Sequence, residues 1–263
     1  MSTVPGGHRL SGKTVIITGA SSGIGRSTAF EFARASPKGL KLILAARRSD
    51  TLRSIANDIK EEVGEQVKVL PVRLDVSNSE EVRNFVPSLP EDFKNIDILV
   101  NNAYGPVLSG PASSCAAANP TLFSGLVKGV AQAPNIAEED IDVMLKTNVT
   151  GLINMTQAVL PIFKGRPNGG AGDIINVGSI AGKYSDHSDG IFSPLTGRMI
   201  IGREPYAGGS IYCATKAAVR SFSDSLRKEL IATRVRVIEI DPGQVETVSA
   251  RRFPEMAPIE PSC

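Results

Sequence analysis

Residues 18–25 read TGASSGIG and directly follow the apolar run VIIT at 15–18. Glycines at 19, 23 and 25, set between a β-branched run and the amphipathic stretch 24–35, mark a strand-to-helix turn. That context limits the possible folds more than any other part of the chain. Gly19 permits the tight turn, Gly23 lets backbone approach a pyrophosphate, and Gly25 lets the helix pack closely on the strand. The helix N-terminus adds N–H groups and the positive end of its dipole. Gly19, Ser21, Ser22, Gly23, Ile24 and Gly25 are therefore candidate dinucleotide contacts. Without the flanking strand and helix, the same glycines would signal only a turn.

The rhythm that begins there repeats. Apolar runs at 13–19, 40–46, 67–76, 96–103, 172–179 and 235–243 make six candidate strands, separated by amphipathic segments at 24–35, 49–63, 79–86, 140–164 and 205–233. Runs that are apolar on both faces and alternate with helices predict an α/β fold. The expected form is a doubly wound parallel sheet with helices stacked on both faces by right-handed crossovers. One domain is expected over residues 1–247. Two stretches break its rhythm: 104–124 and 183–202 are rich in Pro, Gly and Ser and carry neither a strand nor a helix period. Loops of that length are uncommon inside a compact domain. The segment 248–263 has three prolines and no periodicity.

Composition narrows the partners. With 29 Lys+Arg against 27 Asp+Glu the chain carries a net +2, too weak a field to attract nucleic acid or a membrane surface. A small-molecule partner is expected instead. Cys115, Cys213 and Cys263 show no paired spacing, and His8 and His187 are the only histidines. Neither a disulfide framework nor a metal site is expected. No run has the length of a membrane span, and 1–13 lacks an apolar leader. The chain reads as soluble and cytoplasmic.

The end of the second strand reads LAARRSD. A cofactor with a free ribose 2′-hydroxyl would be held there by a carboxylate, but Ala46 takes that place, followed by Arg47 and Arg48. Cations at this point suit a 2′-phosphate, which favours NADP over NAD. Either arginine could equally be a solvated loop residue. Asp75, ending the third strand, could accept from an adenine amino group or simply cap its loop. Asn101 and Asn102, in the NNA that ends the fourth strand, could bond backbone beside the cofactor or serve as turn residues.

The sequence YCATK puts Tyr212 and Lys216 four residues apart on one helix, hence on one face. A phenol has an ordinary pKa near 10 and needs help to exchange protons near neutrality. The ammonium of Lys216 would supply it by favouring phenolate. Ser179, ending the fifth strand, could hydrogen-bond a substrate oxygen, and Asn148, in the preceding helix, could hold a water linking Lys216 to solvent. A lone Tyr and Lys at this spacing are usually surface residues; the surrounding motifs give the pair its meaning.

Taken together, TGASSGIG, NNA, Ser179 and YCATK resemble the short-chain dehydrogenase/reductase family in its NADP-preferring form, from about residue 10 to 247 outside the two aperiodic stretches. The resemblance implies a Rossmann fold with Gly19, Gly23, Gly25, Arg47, Asp75 and Asn102 at the cofactor. It implies catalysis by Asn148, Ser179, Tyr212 and Lys216, the last two also touching the cofactor. In DPGQVET it implies that Pro242, Gly243 and Val245 line a nicotinamide pocket and that Thr247 contacts the cofactor. LAARR, NVGSIAG and IYCATKAAVRSFSDSLRKEL are similar to the subgroup acting on serine and other 3-hydroxy acids. A small hydroxy acid or ketone substrate and a homo-dimer or homo-tetramer follow from the resemblance.

The chain departs from the family's pattern at three joints. Removing 104–124 would restore NNAG. Removing the 20 residues 183–202 would reduce the separation of Ser179 and Tyr212 from 33 to 13, the spacing the resemblance implies. After Thr247 the expected substrate-covering segment, helix and seventh strand are missing. Codons possible at Tyr104, Lys183 and Val248 can spell intron donor signals, and those closing the first two stretches can spell acceptors. Retained introns are the reading that covers all three joints, and genuine loop insertions are the alternative. The six-stranded chain would then present a hydrophobic edge and turn over slowly. Two other functional readings remain open: a non-catalytic NADP-binding protein and an inactive mis-spliced product.

Overall fold

The computed structural model describes residues 9–36, 38–103, 133–182, 191–192, 199–200 and 209–242. Six parallel strands form its sheet: β1 (Thr14–Thr18), β2 (Lys41–Ala46), β3 (Lys68–Arg73), β4 (Ile98–Asn101), β5 (Gly172–Val177) and β8 (Val235–Ile240). Their spatial order is β3-β2-β1-β4-β5-β8, the doubly wound order expected from the alternating runs. The order reverses between β1 and β4, and the crevice outside the strand ends at such a point is where ligands of these sheets bind.

Alternation along each strand divides the core between two faces. On β1, Val15 and Ile17 pack with Ala29, Phe30 and Ala33 of α1 (Gly23–Ala35) and with Leu52, Ile55 and Ile59 of α2 (Ser49–Val63). Ile16 points the other way, into a cluster with Phe85 of α3 (Ser79–Ser88), Val159 and Phe163 of α5 (Leu152–Lys164) and Leu226 of α6 (Ser210–Glu229). Truncating so central a side chain to alanine typically costs about 2–5 kcal/mol.

One long helical segment crosses the second face. α4 (Glu138–Leu145) runs through a π-helical stretch, Lys146–Gly151, into α5, and a π-bulge of this kind re-aims the side chains it contains. At the far end of the sheet Asp97 accepts from Thr14 N and Lys13 Nζ at 2.9 Å each and lies 3.2 Å from Arg166. Within the aperiodic stretch 183–202 the described residues form a two-residue antiparallel pair, β6 (Ile191–Phe192) with β7 (Met199–Ile200), a pairing too short to leave a strand period. Among the described residues no helix is long and apolar enough to cross a membrane.

Candidate active site

The turn between β1 and α1 is built around Gly19, whose φ of +67° lies in the left-handed region. A Cβ there would come within 2.7 Å of Ala103 Cα and Asn102 O, so only glycine fits. Asn102 Nδ2 donates to Thr18 O at 3.0 Å, and Thr18 Oγ1 accepts from the N–H groups of Asn102 and Ala103 at 2.9 Å. Asn102 thus stitches the end of β4 to the turn, and its Oδ1 is buried without a hydrogen-bond partner among the described residues. Gly25 lies against Gly19 and Asn102. Ser22, the N-cap of α1, makes no side-chain cap, and the first turn holds no acid. Gly23 and Ile24, with Gly25, bring their N–H groups to an open, positive helix end that suits an anion.

Arg48 reaches this turn from β2. Its guanidinium donates to Ser21 Oγ and Ser22 Oγ at 2.9 Å each and to Ser21 O at 3.3 Å. Arg47 is exposed. On β3's loop, Asp75 Oδ1 accepts from Ser77 N at 3.0 Å and Ser77 Oγ at 2.7 Å, the capping arrangement that the sequence left as one alternative. Glu81 of α3 also accepts from Asp75 N at 2.9 Å.

The catalytic candidates converge from three elements. Ser179 follows β5, is buried, and its Oγ accepts from Ala181 N at 3.2 Å. Tyr212 and Lys216, each 1% exposed, lie on the buried side of α6, and Lys216 Nζ sits 5.7 Å from the Tyr212 ring centroid. The ammonium donates to Val177 O at 3.1 Å. Ala181, Tyr212, Met144 and Cys213 pack as one cluster, bringing the residues after Ser179 to the tyrosine. Asn148, buried in the π-helical stretch, donates to Thr215 Oγ1 at 3.2 Å, and Thr215 Oγ1 donates to Tyr212 O at 2.7 Å. Pro242 O accepts from Ile180 N at 3.3 Å, so Pro242 borders the same turn. Gly243, Val245 and Thr247 lie outside the described residues.

Burial pushes the Lys216 amine well below the ordinary lysine value, and the charges of Asp241 and Glu239 oppose that push. Glu239 is itself pushed up to about 7 by burial and by Asp241, against the pull of Arg220 and Arg227.

Segment-by-segment reading of the sequence misses a polar row beneath these groups. Asn101, Asn176 and Glu239 are register partners across β4, β5 and β8. Asn101 Nδ2 donates to Asn176 Oδ1 at 2.9 Å and to Thr156 Oγ1 at 3.0 Å, and Asn176 Nδ2 donates to Ser223 Oγ at 2.9 Å. One signal of it is present: Val235, Val237 and Glu239 alternate, so the acid occupies an inward position of an otherwise apolar strand face.

Comparisons with known proteins follow the same lines. Residues 13–193 and 199–257 match the family described as short chain dehydrogenase. An NADP-dependent 3-hydroxy acid dehydrogenase of Schizosaccharomyces pombe is 43% identical over 239 residues, which cover 91% of this chain and 74% of that protein. A protein of the same description from Escherichia coli K12 is 36% identical over 231 residues, covering 88% and 72%. Among solved structures, serine dehydrogenase from Escherichia coli aligns with a TM-score of 0.63 at 35% identity, over 88% of this chain and 82% of that one. The closed form of serine dehydrogenase complexed with NADP+ gives a TM-score of 0.63 at 35% identity, over 88% and 71%.

Proposed function

The chain belongs to the short chain dehydrogenase family, and from that premise we propose an NADP-dependent oxidoreductase acting on a secondary alcohol or its ketone. The substrate class we propose is the small 3-hydroxy acids, such as serine or 3-hydroxypropionate. The observation that carries the chemistry is Lys216, 1% exposed, hydrogen-bonded to Val177 O with its ammonium beside the Tyr212 ring. A buried lysine in that position acts on the phenol, and a surface pair at the same spacing would not.

The residues present fit NADP. The uncapped, acid-free N-terminus of α1 would receive the pyrophosphate, with Gly19, Ser21, Ser22, Gly23, Ile24 and Gly25 around it. Arg48, already held against Ser21 and Ser22, and the exposed Arg47 would meet the 2′-phosphate. Asp75 would border the adenine from its capped loop, and Asn102 would border the crevice with its buried Oδ1. Bound NADP supplies the hydride acceptor, or the donor in reduction.

In oxidation, Ser179 Oγ orients the substrate oxygen by a hydrogen bond and Tyr212 Oη takes its proton. Lys216 stabilises the phenolate that receives it, and in reduction the same phenol gives the proton back. Asn148 supports this pair through Thr215, the residue between Tyr212 and Lys216 to which it donates. The carboxylate preference rests on the relatives, a 3-hydroxy acid dehydrogenase and a serine dehydrogenase.

The test is a substrate panel with NADP+ and NADPH on the purified chain, led by serine and 3-hydroxypropionate. Turnover that falls at least about hundredfold in Tyr212→Phe is expected, since proton transfer by a positioned group contributes about 10²–10⁴-fold. NADPH binding without turnover of any alcohol or carbonyl would replace the enzyme with a binding protein.

A further inference from the structure

We propose that Glu239 and Asp241, at the end of β8, are a carboxyl pair that positions the charge of Lys216 and through it sets the acidity of Tyr212. The proposal rests on the reading of Tyr212 and Lys216 as the proton-transfer pair. It adds to that pair two residues that touch neither substrate nor cofactor.

The geometry begins with a missing side chain. Gly178 follows Val177, whose carbonyl holds Lys216, and lies on the same sheet face as Asn176. A Cβ at Gly178 would stand 2.9 Å from Glu239 Oε1 and would collide outright with Asp241 Oδ1. Both carboxyls thus fill the space that any larger residue would occupy, one residue along the chain from the carbonyl that anchors the lysine. The strand ends are drawn together there, with Gly178 N donating to Ile240 O at 2.7 Å. The Glu239 side chain is only 8% exposed. An acid so placed continues the polar row of Asn101 and Asn176 beneath α6.

The charges facing the pair come from α6. Lys216, Arg220 and Arg227 recur along one side of that helix. Arg227 Nη2 lies 3.9 Å from Glu239 Oε2, and Arg220 Nη1 is buried without a hydrogen-bond partner among the described residues. Asp224 draws on both arginines from the solvent side. β5 offers no ionisable side chain at this end; the neighbouring helical segment carries Glu138, Glu139 and Asp140 in its first turn, and beyond them Asp142 and Lys146 pair with each other in solvent. Asp224 gives both arginines a second acid at the surface, whereas Lys216 is buried. Burying an ammonium favours its neutral form, and nearby negative charge reverses that preference. A neutral Lys216 would no longer stabilise a phenolate.

The sign of the effect separates this role from a structural or direct electrostatic one. Removing a negative charge near Tyr212 would by itself favour the phenolate and lower its midpoint. Acting through Lys216, the same removal costs the ammonium and raises it. The experiment is a tyrosinate titration followed by near-ultraviolet absorbance, with Tyr212→Phe subtracted to isolate Tyr212. It is run on the whole chain, and thermal melts confirm that each variant is folded. Asp241→Asn and Glu239→Gln, which preserve size, are expected to raise the midpoint by about one pH unit, a tenfold loss of phenolate at fixed pH. Asp241→Glu retains the charge and should keep the midpoint near that of the parent. In a Lys216→Met background the upward shift should vanish. An unchanged or lowered midpoint in Asp241→Asn and Glu239→Gln, with Lys216→Met alone raising it, overturns the proposal and leaves the catalytic pair standing. If Lys216→Met itself leaves the midpoint in place, the pair fails and the proposal with it. No substrate is used, so the result is independent of which hydroxy acid the enzyme takes.

Discussion

Arg48 donates to Ser21 Oγ at 2.9 Å, tying the end of β2 to the glycine turn that follows β1. In the NADP site we propose, the guanidinium would meet the 2′-phosphate already held by Ser21 and Ser22, with little side-chain freedom left to lose. A hydrogen bond to a charged group is worth about 1.5–3 kcal/mol. Arg48→Ala should therefore weaken NADPH binding by about 10–100-fold and leave NADH binding within about threefold. Fluorescence titration with each nucleotide checks this, and an equal loss for both would remove Arg48 from the phosphate site.

Gly19 offers a sharper test of the turn. Its φ is +67°, and a Cβ added to it would stand 2.7 Å from Ala103 Cα, so backbone is involved on both sides. Neither partner can swing away. Gly19→Ala should lower stability by about 1–3 kcal/mol through strain and abolish measurable NADPH affinity. A thermal melt read beside a nucleotide titration distinguishes this from a simple loss of binding.

Much of this architecture is legible in the sequence because local and tertiary preferences agree. The run 40–46 and the observed Lys41–Ala46 coincide, and Ser49–Val63 has the boundaries its apolar spacing predicts. Apolar runs overstate strand ends, as at 67–76 against Lys68–Arg73, because apolar residues after a strand, such as Leu74 and Val76, still pack on the core. The turn glycines, Arg48, Ser179, Tyr212 and Lys216 are visible as residue types at fixed spacings. The row of Asn101, Asn176 and Glu239 is not, since cross-strand register appears in no single segment. The sequence suggests that Asn148 serves the lysine through a water; the structure adds a bond no single segment shows, from its Nδ2 to Thr215 Oγ1.

Glu239 should leave a mark on stability. Its carboxyl is raised from 4.5 to about 7, chiefly by burial and secondly by Asp241. Between those values the folded chain binds more protons than the unfolded one, so this group's contribution is full below about 4.5 and is lost as pH rises through about 7. At about 1.4 kcal/mol per pH unit, shared with its coupled neighbour, the loss is on the order of 1–3 kcal/mol. Thermal unfolding from pH 4.5 to 7.5 should show the parent losing stability relative to Glu239→Gln across that window. Parallel curves would place the acid in an ordinary solvated setting.

Ala181 and Tyr212 share one packed cluster although the aperiodic stretch 183–202 separates them in the chain. Ser179, just past β5, accepts from Ala181 N, and Tyr212 is fixed by α6. The site is thus assembled by elements that flank the stretch. Closing a loop of that size costs only a slowly growing entropy, roughly 0.6 kcal/mol for each doubling of length. Shortening the connection should therefore stabilise the chain modestly. We propose that 104–124 and 183–202 are retained intron sequence. A chain with both removed, which rejoins Ala103 to Gly125 and Gly182 to Arg203, is expected to melt higher and to turn over NADP-linked substrates at least as fast as the parent. Sequencing the transcript gives an independent reading, with a message that lacks both sets of codons expected. A message that keeps them, together with lower activity in the shortened chain, would make the stretches working parts of the enzyme.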